Sequence, residues 1–255
     1  STFHLGHPER AWRALSEWRS SWLSREGVAA LATYAPAGVF AGGWIYFGAV
    51  WAVCALLTAL GALATVICTA YIYRSLRPIQ RWHNGWVLPN YLALAAMTGA
   101  LWLAALVALF GLDQPLVASV ALAAVAIAAA LKLGYWRFID ATASISSAAT
   151  ATGLGGFGEV RLFEAPHTSD NYLLKEMGFR VARKHAAKLR RIALVAGFAL
   201  PFLLTLLGIA LGGWSGAAAA LIAATLGQIG VLVERWLFFA EAKHTVMLYY
   251  GADRA

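Results

Sequence analysis

Long stretches without a single Asp, Glu, Lys or Arg alternate along this chain with short basic clusters. The uncharged runs cover Gly27 to Tyr73, Asn84 to Leu112, Gln114 to Leu131 and Ile192 to Val233. A membrane span takes about 20 apolar residues, and the two longest runs are about twice that, so each divides into two helices. The pattern predicts spans at 26–47, 50–74, 87–110, 115–137, 190–211 and 216–240. The fold class is therefore all-α, a polytopic transmembrane helix bundle forming one integral membrane domain over 1–255. Ser1-Thr2-Phe3-His4 stands directly before a polar segment and reads as the end of a hydrophobic helix lying upstream.

Composition agrees with this pattern. Hydrophobic residues make up 61% and charged residues 13%, where a soluble domain carries about 25% charged, which excludes an ordinary soluble enzyme. The net charge of +8 is placed by topology. Arg10, Arg13, Arg19 and Arg25 precede the first span, Arg74, Arg77 and Arg81 follow the second, and the long connection after the fourth is basic. The alternate turns are almost uncharged. The positive-inside bias puts the basic ends in the cytoplasm, and no nucleic-acid partner is expected beside the lipid bilayer.

The chemistry that remains is sparse. His4, His7, His83, His167, His185 and His244 fall in basic segments or at span ends, so the pair of facing imidazoles that would hold a haem inside the spans is missing and no haem is expected. Metal ligands and catalytic residues are likewise not expected. No ionisable residue is expected near a midplane; the acid clearly inside a helical pattern is Glu234, followed by Arg235, near the basic end of the last span. Gly153, Gly155 and Gly158 spell GxGxxG, but without a preceding strand they do not indicate a dinucleotide site. Residues 1–25 read as an interfacial amphipathic helix, with Pro8 in its first turn and Trp12, Leu15, Trp18 and Trp22 recurring at three to four residues. His4, Arg25 and Glu26 would stand at one depth. A quinol losing two electrons also loses two protons, and His and Glu in an apolar interfacial pocket can accept them.

His4-Leu5-Gly6-His7-Pro8-Glu9-Arg10-Ala11, with Ser24-Arg25-Glu26 and the ending Glu234-Arg235, Phe238, Phe239 and His244-Thr245-Val246, resembles the membrane anchor subunits of dimethyl sulfoxide reductase, the DmsC-like family. The resemblance implies eight helices with two upstream, no haem, and electron exchange between an iron–sulfur subunit and menaquinone or ubiquinone. It implies His4 as the quinone-site histidine, with Arg10 and Glu26 as polar neighbours; Arg25 and Glu234 complete the expected quinone-binding set. Molybdopterin and iron–sulfur clusters belong to partner subunits.

The connection 140–189 is read as a loop and helix extension that docks a subunit. Thr142 to Gly158 is small and polar, and SDNYLLKEMGFRVARKHAAKLRR is expected to run as one helix into the fifth span. Its Arg183, Lys184 and Lys188 would form a docking surface with Arg74, Arg77, Arg81 and His83, Trp82 and Trp86 lying alongside. Among family members, a cytoplasmic docking face in a bacterial inner membrane is expected for sulfite oxidation; the alternatives are quinol oxidation by a sulfoxide or N-oxide reductase, and a non-redox scaffold or transporter.

Overall fold

The computed structural model describes residues 6–112, 115–142, 146–164, 166 and 183–252. Among the described residues, six helices are long and apolar enough to cross a membrane: α1 Trp22–Phe47, α2 Ala52–Arg74, α3 Val87–Leu109, α4 Pro115–Ala141, α5 Ala186–Leu211 and α6 Gly213–Ala240. No strand occurs among the described residues. The chain divides into two compact units, Ser1–Ser75 and Leu76–Ala255.

In the first unit, α1 and α2 form a hairpin. Ser21 caps α1 by accepting from the Ser24 amide, which starts the helix at Trp22, earlier than the uncharged run alone implies. Gly48 ends it at φ 62°, a backbone conformation that favours glycine. The two helices come close where Gly61 faces Thr33: a Cβ on Gly61 would collide with the threonine side chain. The segment expected as an amphipathic helix is a 3₁₀ helix over Pro8–Leu15 followed by turns, with Trp12 and Trp18 exposed. The spacing of three from Trp12 to Leu15 suits the three residues per turn of that helix.

In the second unit, α3 to α6 pack around Leu94, Met97, Leu101, Ala105, Val125 and Phe198. Small residues let α5 and α6 touch backbone to backbone, since a Cβ on Gly230 would overlap Gly197 and one on Gly216 would overlap Gly208. A π-helical turn over Val195–Ala199 interrupts α5 just before Pro201. Proline has no N–H to return to the carbonyl four residues earlier, and the wider turn absorbs that mismatch. α4 runs four residues past the expected end, because Asp140 in its last turn is held by Arg190.

The connection after α4 departs from expectation. Ala148–Thr152 is a short helix with a Ser147/Thr150 capping box, and Gly153 of the glycine motif ends it at φ 72°. Upstream of α5 the continuous helix is broken at His185, a turn with φ −105° and ψ 13°. Most of the expected extension, 167–182, lies outside the described residues.

Candidate functional site

At the basic end of the α1–α2 hairpin stand Glu26 and Arg25, two of the polar groups expected at a quinone. Glu26, one turn into α1 and half-buried, accepts from Thr69 Oγ1 of α2 at 2.6 Å. Thr69 Oγ1 also lies 2.9 Å from the Thr65 carbonyl. A hydroxyl has a single proton to give. With Glu26 charged, Thr69 donates to the carboxylate; with Glu26 protonated, Glu26 donates to Thr69 and Thr69 turns to Thr65. The pair satisfies either protonation state without moving a heavy atom. Trp22 and Tyr71 stack at 4.5 Å at the same end.

Arg25 does different work from its neighbour. Its Nε donates to the Trp18 carbonyl at 2.9 Å and its Nη2 to that of Arg19 at 2.5 Å, while the guanidinium lies 4.3 Å from the Trp22 ring. It fastens the preceding turns to the start of α1. Arg10 is exposed on the 3₁₀ helix, 3.9 Å from Glu9. His4 lies outside the described residues. The structure therefore brings Glu26 together with Thr69, a residue with no sequence signal of its own because a membrane threonine ordinarily bonds only its own helix.

Glu234 belongs to the second unit and is fully buried there. Arg235 grips it with two hydrogen bonds of 2.5 and 2.9 Å, and Lys132 of α4 pairs with it directly. Lys132 is 1% exposed and sits nine residues before the end of α4, about 13 Å along the helix axis. Aromatic rings enclose the cluster: Lys132 Nζ is 4.2 Å from the Tyr135 ring and 4.9 Å from Trp136, and Arg235 is 4.4 Å from Tyr91. Lys132 lies inside the fourth span but toward its basic end, away from the midplane, and it is tolerated there because Glu234 pairs with it.

The proposed docking residues divide into two sets. Arg81 donates to the Glu241 carbonyl at 2.8 Å, and Arg183 donates to those of Ala240 and Ala242 at 2.9 and 2.8 Å. Trp82 Nε1 adds a bond to the Phe238 carbonyl. Together they satisfy the carbonyls left open at the end of α6 and place positive charge at its negative pole. Trp82 is thus buried rather than part of a surface, and Trp86 packs over Gly134. Arg190 forks onto Asp140 and reaches Glu241. Burial, and then the Arg81 charge, draw the Arg183 guanidinium below its ordinary pKa; burial, and then the Arg183 charge, do the same to His244. Arg77, His83, Lys184 and Lys188 are exposed, whereas Arg74 is half-buried and donates to the Tyr71 hydroxyl.

The family model described as DMSO reductase anchor subunit (DmsC) matches residues 1–239. A sulfite dehydrogenase subunit of Allochromatium vinosum is 35% identical over 270 residues, covering 98% of this chain and 80% of that protein. No match to a solved structure was found. With six spans, basic ends and a match along nearly its whole length, the chain is a multi-pass membrane protein and belongs to the DMSO reductase anchor subunit (DmsC) family.

Proposed function

We propose that this chain is the quinone-exchanging anchor of a molybdenum enzyme complex that oxidises sulfite. The observation that carries the quinone assignment is the Glu26–Thr69 pair, a half-buried carboxylate at the start of a span with a hydroxyl donating to it at 2.6 Å. Reduction of a quinone takes up two electrons and two protons, so its pocket needs such a group beside an apolar, ring-sized surface. In this reading Glu26 carries the proton and the stacked Trp22–Tyr71 pair forms an apolar wall beside it. His4 is the second proton carrier by its place in the family pattern, and Arg10 and Arg25 keep the entrance positive.

Electrons pass between this pocket and an iron–sulfur subunit, which receives them from a molybdopterin subunit. Sulfite and water give sulfate, two protons and two electrons, the number a quinone accepts. The sulfite assignment is supported by the name of the Allochromatium relative and by loop charge, which favours a docking face on the cytoplasmic side of the membrane. Exposed Arg77, His83, Lys184 and Lys188 face the partner, while Arg81 and Arg183 act by holding the end of α6.

The purified complex should reduce a soluble quinone analogue with sulfite, and His4→Ala should abolish that reaction while sulfite oxidation with an artificial dye persists. Dye activity without quinone activity in the wild-type complex would refute the assignment. The DMSO reductase description of the family model favours one other reading, in which the complex oxidises quinol to reduce a sulfoxide. Quinol-dependent sulfoxide reduction without sulfite oxidation would select it.

A further inference from the structure

Among the described residues, four buried side-chain polar atoms have no hydrogen-bond partner, and three of them belong to residues around the Lys132–Glu234 pair: Asn90 Oδ1, Trp136 Nε1 and Arg235 Nη1. Asn90 and Trp136 are both more than nine-tenths buried. The Asn90 amide donates to the Trp86 carbonyl at 2.8 Å and reaches that of Leu131, the residue before Lys132, at 3.4 Å. The Lys132 ammonium stands 4.9 Å from the Trp136 ring, and Arg235 grips the carboxylate that pairs with Lys132. An unmet polar atom is costly inside a protein, and three around one ion pair call for a common partner. Two of them are donors, an indole N–H and a guanidinium N–H, and one is a carbonyl acceptor. An anion has no proton to give Asn90, and a metal cation would be repelled by Lys132 and Arg235. Water accepts from the donors and donates to the acceptor.

Depth brings water within reach. Lys132 Nζ lies near the rings of Tyr135 and Trp136, three and four residues later in α4, so this side chain runs toward the basic end of its span. Trp136 and Arg235 each stand five residues before the end of their helix, about 8 Å along its axis. Glu234 is one residue deeper. Asn90 is three residues into α3, about 5 Å from the same end. The polar zone of a bilayer takes up about 5–8 Å on each side of the hydrocarbon, so Asn90 stands at the level of hydrated headgroups and the ion pair just beneath it. We infer that water from the basic side enters the end of the second unit and binds at Asn90, Trp136 and Arg235, hydrating the Lys132–Glu234 pair. Buried waters of this kind typically make about three hydrogen bonds to polar groups that would otherwise go unmet. The pair is then an ion pair in contact with the aqueous side, and not a dry salt bridge.

The test is pulsed radiolysis of the intact complex in lipid nanodiscs, after rapid mixing with heavy-oxygen water. The pulse turns bound water into hydroxyl radicals that oxidise the side chains beside it, and the heavy oxygen marks water that exchanges with the solution. Peptide mass spectrometry compares Trp136 and Tyr135 with Met97, a side chain that oxidises readily but is fully buried in the apolar core. Trp136 and Tyr135 should take up heavy oxygen while Met97 stays unoxidised. Asn90→Leu, which keeps the size and removes the acceptor, should lower oxidation of Trp136 about fivefold, the factor for one hydrogen bond of ordinary net strength. The wild-type result stands whether or not that variant folds. Unoxidised Trp136 and Tyr135 in wild type would overturn the proposal, and so would oxidation without heavy oxygen, which would seal the site from the solution. Met97 oxidised as fast as Trp136 would overturn it too, because the whole unit would then be opening, as would an assembled Asn90→Leu complex oxidised at Trp136 like wild type.

Discussion

Removing the charge of Glu234 should damage the protein far more than removing that of Lys132, although the two are partners. Among the described residues, Glu234 is the one carboxylate paired with both Lys132 and Arg235. Glu234→Gln leaves two cations together in a fully buried setting, and breaking a buried pair this way costs about 3–5 kcal/mol. Lys132→Met leaves the two-bond Glu234–Arg235 pair intact and removes a desolvated ammonium, so the cost should be about 1 kcal/mol. For a unit of this size each kcal/mol moves the thermal midpoint by roughly 2–4 °C. Glu234→Gln should therefore unfold roughly 6–20 °C early in detergent, and Lys132→Met within about 4 °C of wild type. Adding Lys132→Met to Glu234→Gln should recover part of the loss, because one stranded cation is removed. Equal damage from the two single variants, or a Glu234→Gln midpoint unchanged from wild type, would refute the view that this carboxylate holds the two cations together.

Three further outcomes follow from the basic end. Arg183→Ala should cost about 2 kcal/mol by uncapping α6, and hydrogen exchange should accelerate at the amides near Phe238 to Ala242; unchanged protection there would contradict the cap. His244 has its pKa lowered in the folded state, so the unfolded chain takes up the proton first. Its contribution to stability is present above about pH 6.5 and is lost as pH falls toward the lower folded value, so His244→Gln should flatten the fall in thermal midpoint between pH 8 and 5.5; an identical pH profile would exclude His244 as its source. A cysteine at exposed Lys188 should resist a membrane-impermeant thiol reagent in intact cells and react after lysis, and strong labelling of intact cells would reverse the orientation and with it the preference for sulfite.

The spans were legible because solvation in lipid is unforgiving: a run of uncharged residues long enough to cross has few other fates. Their ends were less so. Ser21 starts α1 early through a side-chain cap, and α4 continues to Ala141 because Arg190 receives Asp140 across a chain separation of 50 residues. Pairings of that kind have no local sequence pattern. The same holds for Lys132, which stands at the edge of an uncharged run and looks like its border until Glu234, more than 100 residues later, is packed against it. Arg81 and Arg183 resembled a docking surface because charge alone does not tell a solvated arginine from one bonded to the carbonyls of a helix end. Glu26 was legible as a candidate from its position at a span start; its partner Thr69 was not, since only the α1–α2 packing brings them within 2.6 Å.

The most direct test of quinone exchange is the steady-state kinetics of Glu26→Gln in the purified complex, measured with a quinone analogue and, separately, with a dye that takes electrons from the peripheral subunits. Glutamine keeps the size and the bond from Thr69 but cannot carry the proton. The variant should lose at least about 100-fold in kcat with quinone, the range of general acid–base catalysis, with dye turnover unchanged and subunits retained. Full quinone turnover in an assembled Glu26→Gln complex would contradict the assignment.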